Sequence, residues 1–282
     1  MEFRKRLRAF RASMKIGWKI ESNWTSAPLY LLYAAIRPLS LCVLLYFLFK
    51  VVSAAPSADP RFLAIFVGNA IFSIFGTLAG GLSWAIISDR EHYQLIRYVY
   101  IAPTPFIWKI FGRAVTFVLV ALSSVALIIA VGAWWLHLPI GWSHIHWLYL
   151  LAMLALGLPA TLALGLFFAG LLLVTARHAM LLAEGVGGTL LLICGVLYPT
   201  SYLPAWLRPL AWASPLTYWI EGCRRAFGVV GFDRHLVWMP DWLLVLVLAL
   251  LTALTAVASY KAFNRFEHYA KRHGKIDQTT NY

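Results

Sequence analysis

Few side chains in this sequence have the type and spacing that chemistry needs. His137, His144 and His146 lie close together, and imidazoles so placed could ligate a metal. No Cys or carboxylate joins them, whereas Trp134, Trp135, Trp142 and Trp147 surround them as an interfacial aromatic belt does. Ser123-Ser124 could offer a nucleophile inside an apolar run, but no base stands at a suitable spacing. Glu184 lies near the end of another apolar run; an ionisable group there is a functional candidate, and it is also placed to pair with Arg177 at a membrane boundary. Glu221, Arg224 and Arg225 have the spacing of local ion pairs on a helix, which suits holding a hairpin together better than reacting. Cys42, Cys194 and Cys223 are few and unpatterned, so neither a disulfide framework nor a metal spacing follows. The stretch with the most to say is 88–105, SDREHYQLIRYVYIAPTP: charged, aromatic, and wedged between two long apolar runs.

The elements that must hold these residues are membrane helices. Hydrophobic residues make up 61% of the 282 positions and charged ones only 12%, with a mean hydropathy of +0.75; a soluble domain would carry about a quarter charged residues. The apolar runs are continuous rather than alternating, which implies a helical bundle and not a barrel. Runs of roughly 20 residues or more are long enough to span, and they fall at 29–51, 62–87, 107–135, 147–174, 179–198 and 242–262. The expectation is an all-α membrane protein of six spans forming a single domain over 1–282.

With the N-terminus inside, segments 1–28, 88–113, Arg177 and 261–282 hold 17 of the 24 basic residues. That bias places both termini in the cytoplasm. The net charge of +13 then reflects topology and anionic lipid headgroups; no soluble domain is present to carry a nucleic-acid surface. Ser53-Ala54-Ala55-Pro56-Ser57-Ala58 superficially resembles a cleavage site, but the apolar run before it is too long and too far from the start for a signal peptide.

Three segments outside the spans are organised. Phe3, Leu7, Phe10, Met14 and Trp18 recur at helical spacing, with Arg4, Arg8, Arg11, Lys15 and Lys19 one position later. This predicts a basic amphipathic helix over 1–28 that lies among headgroups and is ended by Pro28. After the second span, Ser88 and Glu91 have capping-box spacing, Tyr93, Ile96, Arg97 and Tyr100 share a face, and Pro103 and Pro105 stop the helix. Such a helix, acidic at its start, suits a groove on another protein. Its alternative is a helix resting on lipid. Finally, 199–228 is rich in Pro, Trp and Tyr; Ser214-Pro215 reads as an N-cap with a first-turn proline and Gly228 as a C-terminal cap. Short helices near 204–211 and 215–227 are expected, half-buried and re-entrant at the outer leaflet.

The order of these segments, with Tyr198-Pro199, Leu203-Pro204-Ala205-Trp206-Leu207 and Ser214-Pro215-Leu216-Thr217-Tyr218, resembles the permease subunit of a type-2 ATP-binding-cassette exporter along essentially the whole chain. The resemblance implies that 89–102 is a coupling helix pressed on a separate ATPase, with Asp89, Arg90, Glu91, His92, Tyr93, Ile96, Arg97 and Tyr100 at the contact. It implies two ATPase copies, a second permease chain (most simply a homodimer) and a substrate path between the two permeases. It also implies an exit lid built from the outer helices, including Pro199, Tyr202, Pro204, Trp206, Pro215, Tyr218, Glu221 and Arg225. The sequence has no G-x-x-x-x-G-K-[ST] phosphate loop, so ATP and magnesium would belong to the partner and this chain would hold no cofactor. Sparse charge and 15% aromatic content favour amphipathic cargo such as drugs, lipids or lipid-linked glycans. The competing class is a secondary carrier or a lipid-modifying membrane enzyme without an ATPase; a carrier would show broken-helix repeats and midplane charges.

Overall fold

The computed structural model describes residues 2–22, 26–53, 59–101, 105–141, 145–175 and 179–275. Among them every regular element is helical: α1 (Glu2–Ser22), α2 (Ala27–Ser53), α3 (Pro60–Glu91), α4 (Ile96–Ile101), α5 (Phe106–Trp134), α6 (Trp147–Val174), α7 (Ala179–Ile193), α8 (Arg208–Ala213), α9 (Pro215–Ala226) and α10 (Asp241–Arg272), with one 3-10 turn at Thr200–Tyr202. Helices α3, α5, α6 and α10 are long and apolar enough to cross a membrane; α2 and α7 carry shorter apolar stretches among the described residues, at Leu39–Val51 and Glu184–Ile193.

Local chemistry starts the helices. Asp59 caps α3, its carboxylate accepting from the Arg61 amide at 2.8 Å, with Pro60 in the first turn. Ser214 caps α9 the same way through the Leu216 amide, followed by Pro215. Gly228, at φ +77°, takes the left-handed turn that closes α9. α6 runs on through Pro159, and α10 continues to Arg272, some way past the apolar run at 242–262.

The core is built around α3, which packs on α5, α6 and α9, while α6 and α10 form a long mutual contact. α9 is wedged between α3, α6 and α10 and is buried along its whole length. Glycine makes room for it: a Cβ at Gly157 of α6 would strike the indole of Trp219. The N-terminal helix is also packed more closely than a headgroup-plane helix needs to be. α1 lies along α5, where a Cβ at Gly112 would stand 2.6 Å from the Ser13 Cβ and 2.7 Å from the Phe10 carbonyl oxygen.

Three local expectations are corrected. Ser88 and Glu91 do not cap a new helix, because α3 continues through them; the Ser88 hydroxyl donates back to the Ala85 carbonyl. The expected single helix over 89–102 is therefore the end of α3, a turn, and the six residues of α4. The first outer helix begins at Arg208 rather than near 204, and the second is buried inside the bundle rather than half-buried at its surface.

Candidate functional site

The charged residues gather at two ends of the bundle. At one end, the last turn of α3 meets the first turns of α5. Asp89 is buried; its Oδ1 accepts from Arg113 Nη1 at 2.9 Å and its Oδ2 pairs with Lys109 Nζ at 3.1 Å. Arg113, also buried, reaches with its other nitrogen to Glu21 of α1 at 3.3 Å. Arg90 donates to the Leu172 carbonyl at the end of α6 and pairs with Glu91. One small region thus ties α1, α3, α5 and α6 together. Burial pushes the Glu21 carboxyl above its ordinary value, against the pull of Arg113 and Tyr30.

The α3–α4 turn sits on this bracing. The Tyr93 amide donates to the Ser88 carbonyl and the Leu95 amide to the Asp89 carbonyl; Gln94 takes φ +49°. Ile96 is buried, and Tyr100 is half-buried with its ring stacked on Phe106 at 5.1 Å. His92 and Tyr93 are exposed, His92 lying 5.8 Å from Trp84. Sequence spacing set Tyr93, Ile96 and Tyr100 on one outward face; the structure splits them, because Tyr93 precedes the helix and Ile96 points inward. Among the described side chains of α4, the outward apolar surface is made by Tyr98, 68% exposed, and Ile101, 80% exposed. The side chain of Arg97 lies outside the described residues.

At the opposite end, Arg224 is fully buried. It donates to the Ala64 carbonyl of α3 at 2.8 Å and the Val196 carbonyl at 2.7 Å, and its guanidinium stacks over Phe232 at 4.2 Å. Arg225 donates to the Leu236 carbonyl at 2.6 Å and the Met239 carbonyl at 2.7 Å, and pairs with Asp241 at the start of α10. Glu221 lies between the two arginines, 3.4 Å from Arg225. Burial raises the Glu221 carboxyl above its ordinary range, and burial holds Arg224 down to about 10. Asp233 accepts from both the amide and the hydroxyl of Thr200, and from the His235 amide. Tyr218 and Pro215 belong to this buried unit, while Tyr202 and Trp206 stand exposed at 79% and 73%. Pro199 precedes the 3-10 turn, and Pro204 lies in the turn between it and α8.

The remaining candidates are dispersed. Ser123 and Ser124 both donate to the Val120 carbonyl within α5. His137 faces the Trp135 carbonyl, and among the described residues no three of His, Cys, Asp or Glu gather to hold a metal; His144 and Arg177 lie outside them. Glu184 is exposed on α7. What the geometry offers is mechanical: braced charge at both ends, a small apolar outward surface at one of them, and long apolar helices between.

The family profile described as ABC-2 type transporter matches residues 8–228. The chain belongs to that family. ABC-2 transporter chains of this kind are permease subunits, and this one is a multi-pass membrane protein. It is also similar to the probable multidrug ABC transporter permease YbhR of Escherichia coli K12, and equally to its counterpart in strain O157:H7. Each is 25% identical over 159 residues, covering 56% of this chain and 41% of the relative. The alignment thus spans about two fifths of the length of those relatives. The matched region 8–228 contains most of α1, the α3–α4 turn and the whole of α9.

Proposed function

We propose that this chain is the transmembrane subunit of an ATP-driven exporter that moves an amphipathic substrate out of the cytoplasm or inner leaflet. It performs no covalent chemistry; a separate ABC ATPase in two copies binds ATP and magnesium, and a second permease chain completes the pathway. Six spans, with α2 and α7 joining the four long helices, keep both termini in the cytoplasm, beside the α3–α4 turn. Helices α8 and α9 then face outside as the exit lid, in which exposed Tyr202 and Trp206 guard the opening and buried Tyr218, Glu221 and Arg225 anchor it.

The observation that carries this reading is the bracing behind the α3–α4 turn. A loop merely resting on lipid has no use for a largely buried Asp89–Arg113–Glu21 chain that links three helices to one another. A loop that receives a push and hands it to α3, α5 and α1 does, because linked helices shift together when one of them is moved. The outward contact falls to His92, Tyr93, Tyr98 and Ile101, with Asp89 and Arg90 acting from behind.

The test is co-purification of the chain with its ATPase, paired with ATPase and transport assays in vesicles. Replacing both Tyr98 and Ile101 by Ala should weaken the association roughly tenfold or uncouple hydrolysis from transport, since apolar anchors dominate such contacts. Both residues are exposed, so the fold should survive. Normal association and normal transport in the double variant would sink the coupling role.

A further inference from the structure

Behind α4, on the side facing α10, lies a cavity of about 290 Å³ that the coupling reading does not use. Its floor is aromatic. Tyr100 stacks on Phe106 at 5.1 Å, and Phe106 stacks on the buried Phe263 at 6.2 Å, so three rings form one column. Its wall comes from α10, where Tyr260, Asn264, Glu267 and Lys271 follow one another at helical spacing and line the cavity together. The Glu267 side chain is only 15% exposed, and the buried Tyr100 hydroxyl has no hydrogen-bond partner among the described residues. Burial and the nearby Glu267 charge push that hydroxyl above its ordinary value.

The protein itself shows what this cavity takes. The Lys271 ammonium sits 4.7 Å from the Tyr100 ring centroid and 2.7 Å from Glu267 Oε1. A ring face and a carboxylate converging on one ammonium are the two attractions by which organic cations are recognised. The lysine reaches in from the helix surface and is 46% exposed, so its flexible four-carbon stem has room to swing out to water.

We propose that this cavity is a binding site for ammonium-bearing amphiphiles, and that Lys271 is a tethered stand-in which such a ligand displaces. The inference rests on the exporter reading for its cargo class and narrows that class to cations with an apolar tail. An aromatic-lined site beside the α3–α4 turn also places the ligand where its arrival is felt by the coupling segment, through Tyr100 of α4.

The test is direct binding of benzyltrimethylammonium to the purified full-length chain in nanodiscs of zwitterionic lipid, with uncharged neopentylbenzene as the isostere. Lys271→Ala should bind the cation about tenfold more tightly than the native chain, because the internal competitor is gone. Lys271→Arg should bind as the native chain does, and Glu267→Gln should bind at least about tenfold more weakly than Lys271→Ala. Weaker or unchanged binding in Lys271→Ala would overturn the proposal, as would equal binding of the isostere. Binding of benzylphosphonate by the native chain and its loss in Lys271→Ala would also overturn it, showing an anion site instead. No ATPase is present in this experiment, so its failure leaves the exporter reading standing. Failure of ATPase association, in turn, would leave this site untouched.

Discussion

The two charged regions of the molecule are built on different principles. Around α9, the arginines are satisfied mainly by backbone: Arg224 by the carbonyls of Ala64 and Val196, Arg225 by those of Leu236 and Met239. Around the end of α3, charge is satisfied mainly by charge, with Asp89 shared by Arg113 and Lys109, and Arg113 shared by Asp89 and Glu21. Carbonyl partners are fixed by the backbone that carries them and cannot be exchanged. Side-chain partners with duplicates can be traded as helices shift. The first arrangement suits a bolt and the second a joint, as the proposed exporter would need of its lid and of its coupling linkage.

The largest effect expected from this comparison is at the bolt. Arg224→Ala strips two buried carbonyls of their donor and leaves Glu221 with one arginine fewer. Breaking a buried charged network from one side costs about 3–5 kcal/mol. Thermal unfolding of the purified chain in detergent should register a large drop or no folded protein at all. Arg224→Lys keeps the charge but lacks the planar fork that reaches both carbonyls, so it should fall between the two. Native-like stability in Arg224→Ala would mean that α9 is held by its apolar contacts alone.

The local parts of this architecture are readable in the sequence, and the long-range parts are not. Ser214-Pro215 announces the start of α9 and Gly228 its end, because capping and a positive φ are decided by adjacent residues. That Arg224 bonds to Ala64, 160 positions away, is invisible to any spacing rule. The same limit hid the joint: Lys109 and Arg113 look like cytoplasmic topology signals, and only the fold brings them to Asp89. The Ser88-Glu91 pattern misled for the converse reason. A capping box is a preference of about 1 kcal/mol, and the buried ion pairs of Asp89 and the Arg90 contact to Leu172 keep α3 helical through it. Tyr93, Ile96 and Tyr100 do not share an outward face for the same reason: α4 begins only at Ile96, after a turn that resets the helical phase.

An intermediate effect is expected at the joint, and a double-mutant cycle sharpens the contrast. Asp89→Asn leaves Arg113 with Glu21, and Arg113→Gln leaves Asp89 with Lys109, so each single change should cost less than Arg224→Ala. The coupling energy between the two, read from unfolding of both singles and the double, should lie at about 0.5–3 kcal/mol, the range for contacting residues in one network. Transport should suffer more than stability does, since the joint carries motion. If Asp89→Asn destabilises as much as Arg224→Ala, the two regions are both bolts and the comparison fails.

The smallest effect is expected at Glu21, where α1 joins this network. Its carboxyl is raised by burial more than Arg113 and Tyr30 lower it. A carboxyl whose folded pKa exceeds its unfolded one contributes stability that is complete below the unfolded value and disappears as pH rises through the folded value. At neutral pH its charge is therefore a net burden on the fold, even though it faces an arginine. Glu21→Gln keeps an oxygen for Arg113 without that charge, so the variant should be as stable as the native chain at neutral pH or slightly more so. As pH falls toward the ordinary carboxylate range, the native chain should gain on the glutamine variant, because only the native side chain takes up the proton. Unfolding midpoints of the two proteins, compared across that range, isolate Glu21 from every other group that titrates. A marked loss of stability in Glu21→Gln at neutral pH would show that the Arg113–Glu21 pair clamps α1 through its charge, and α1 would then be a fixed strut of the bundle.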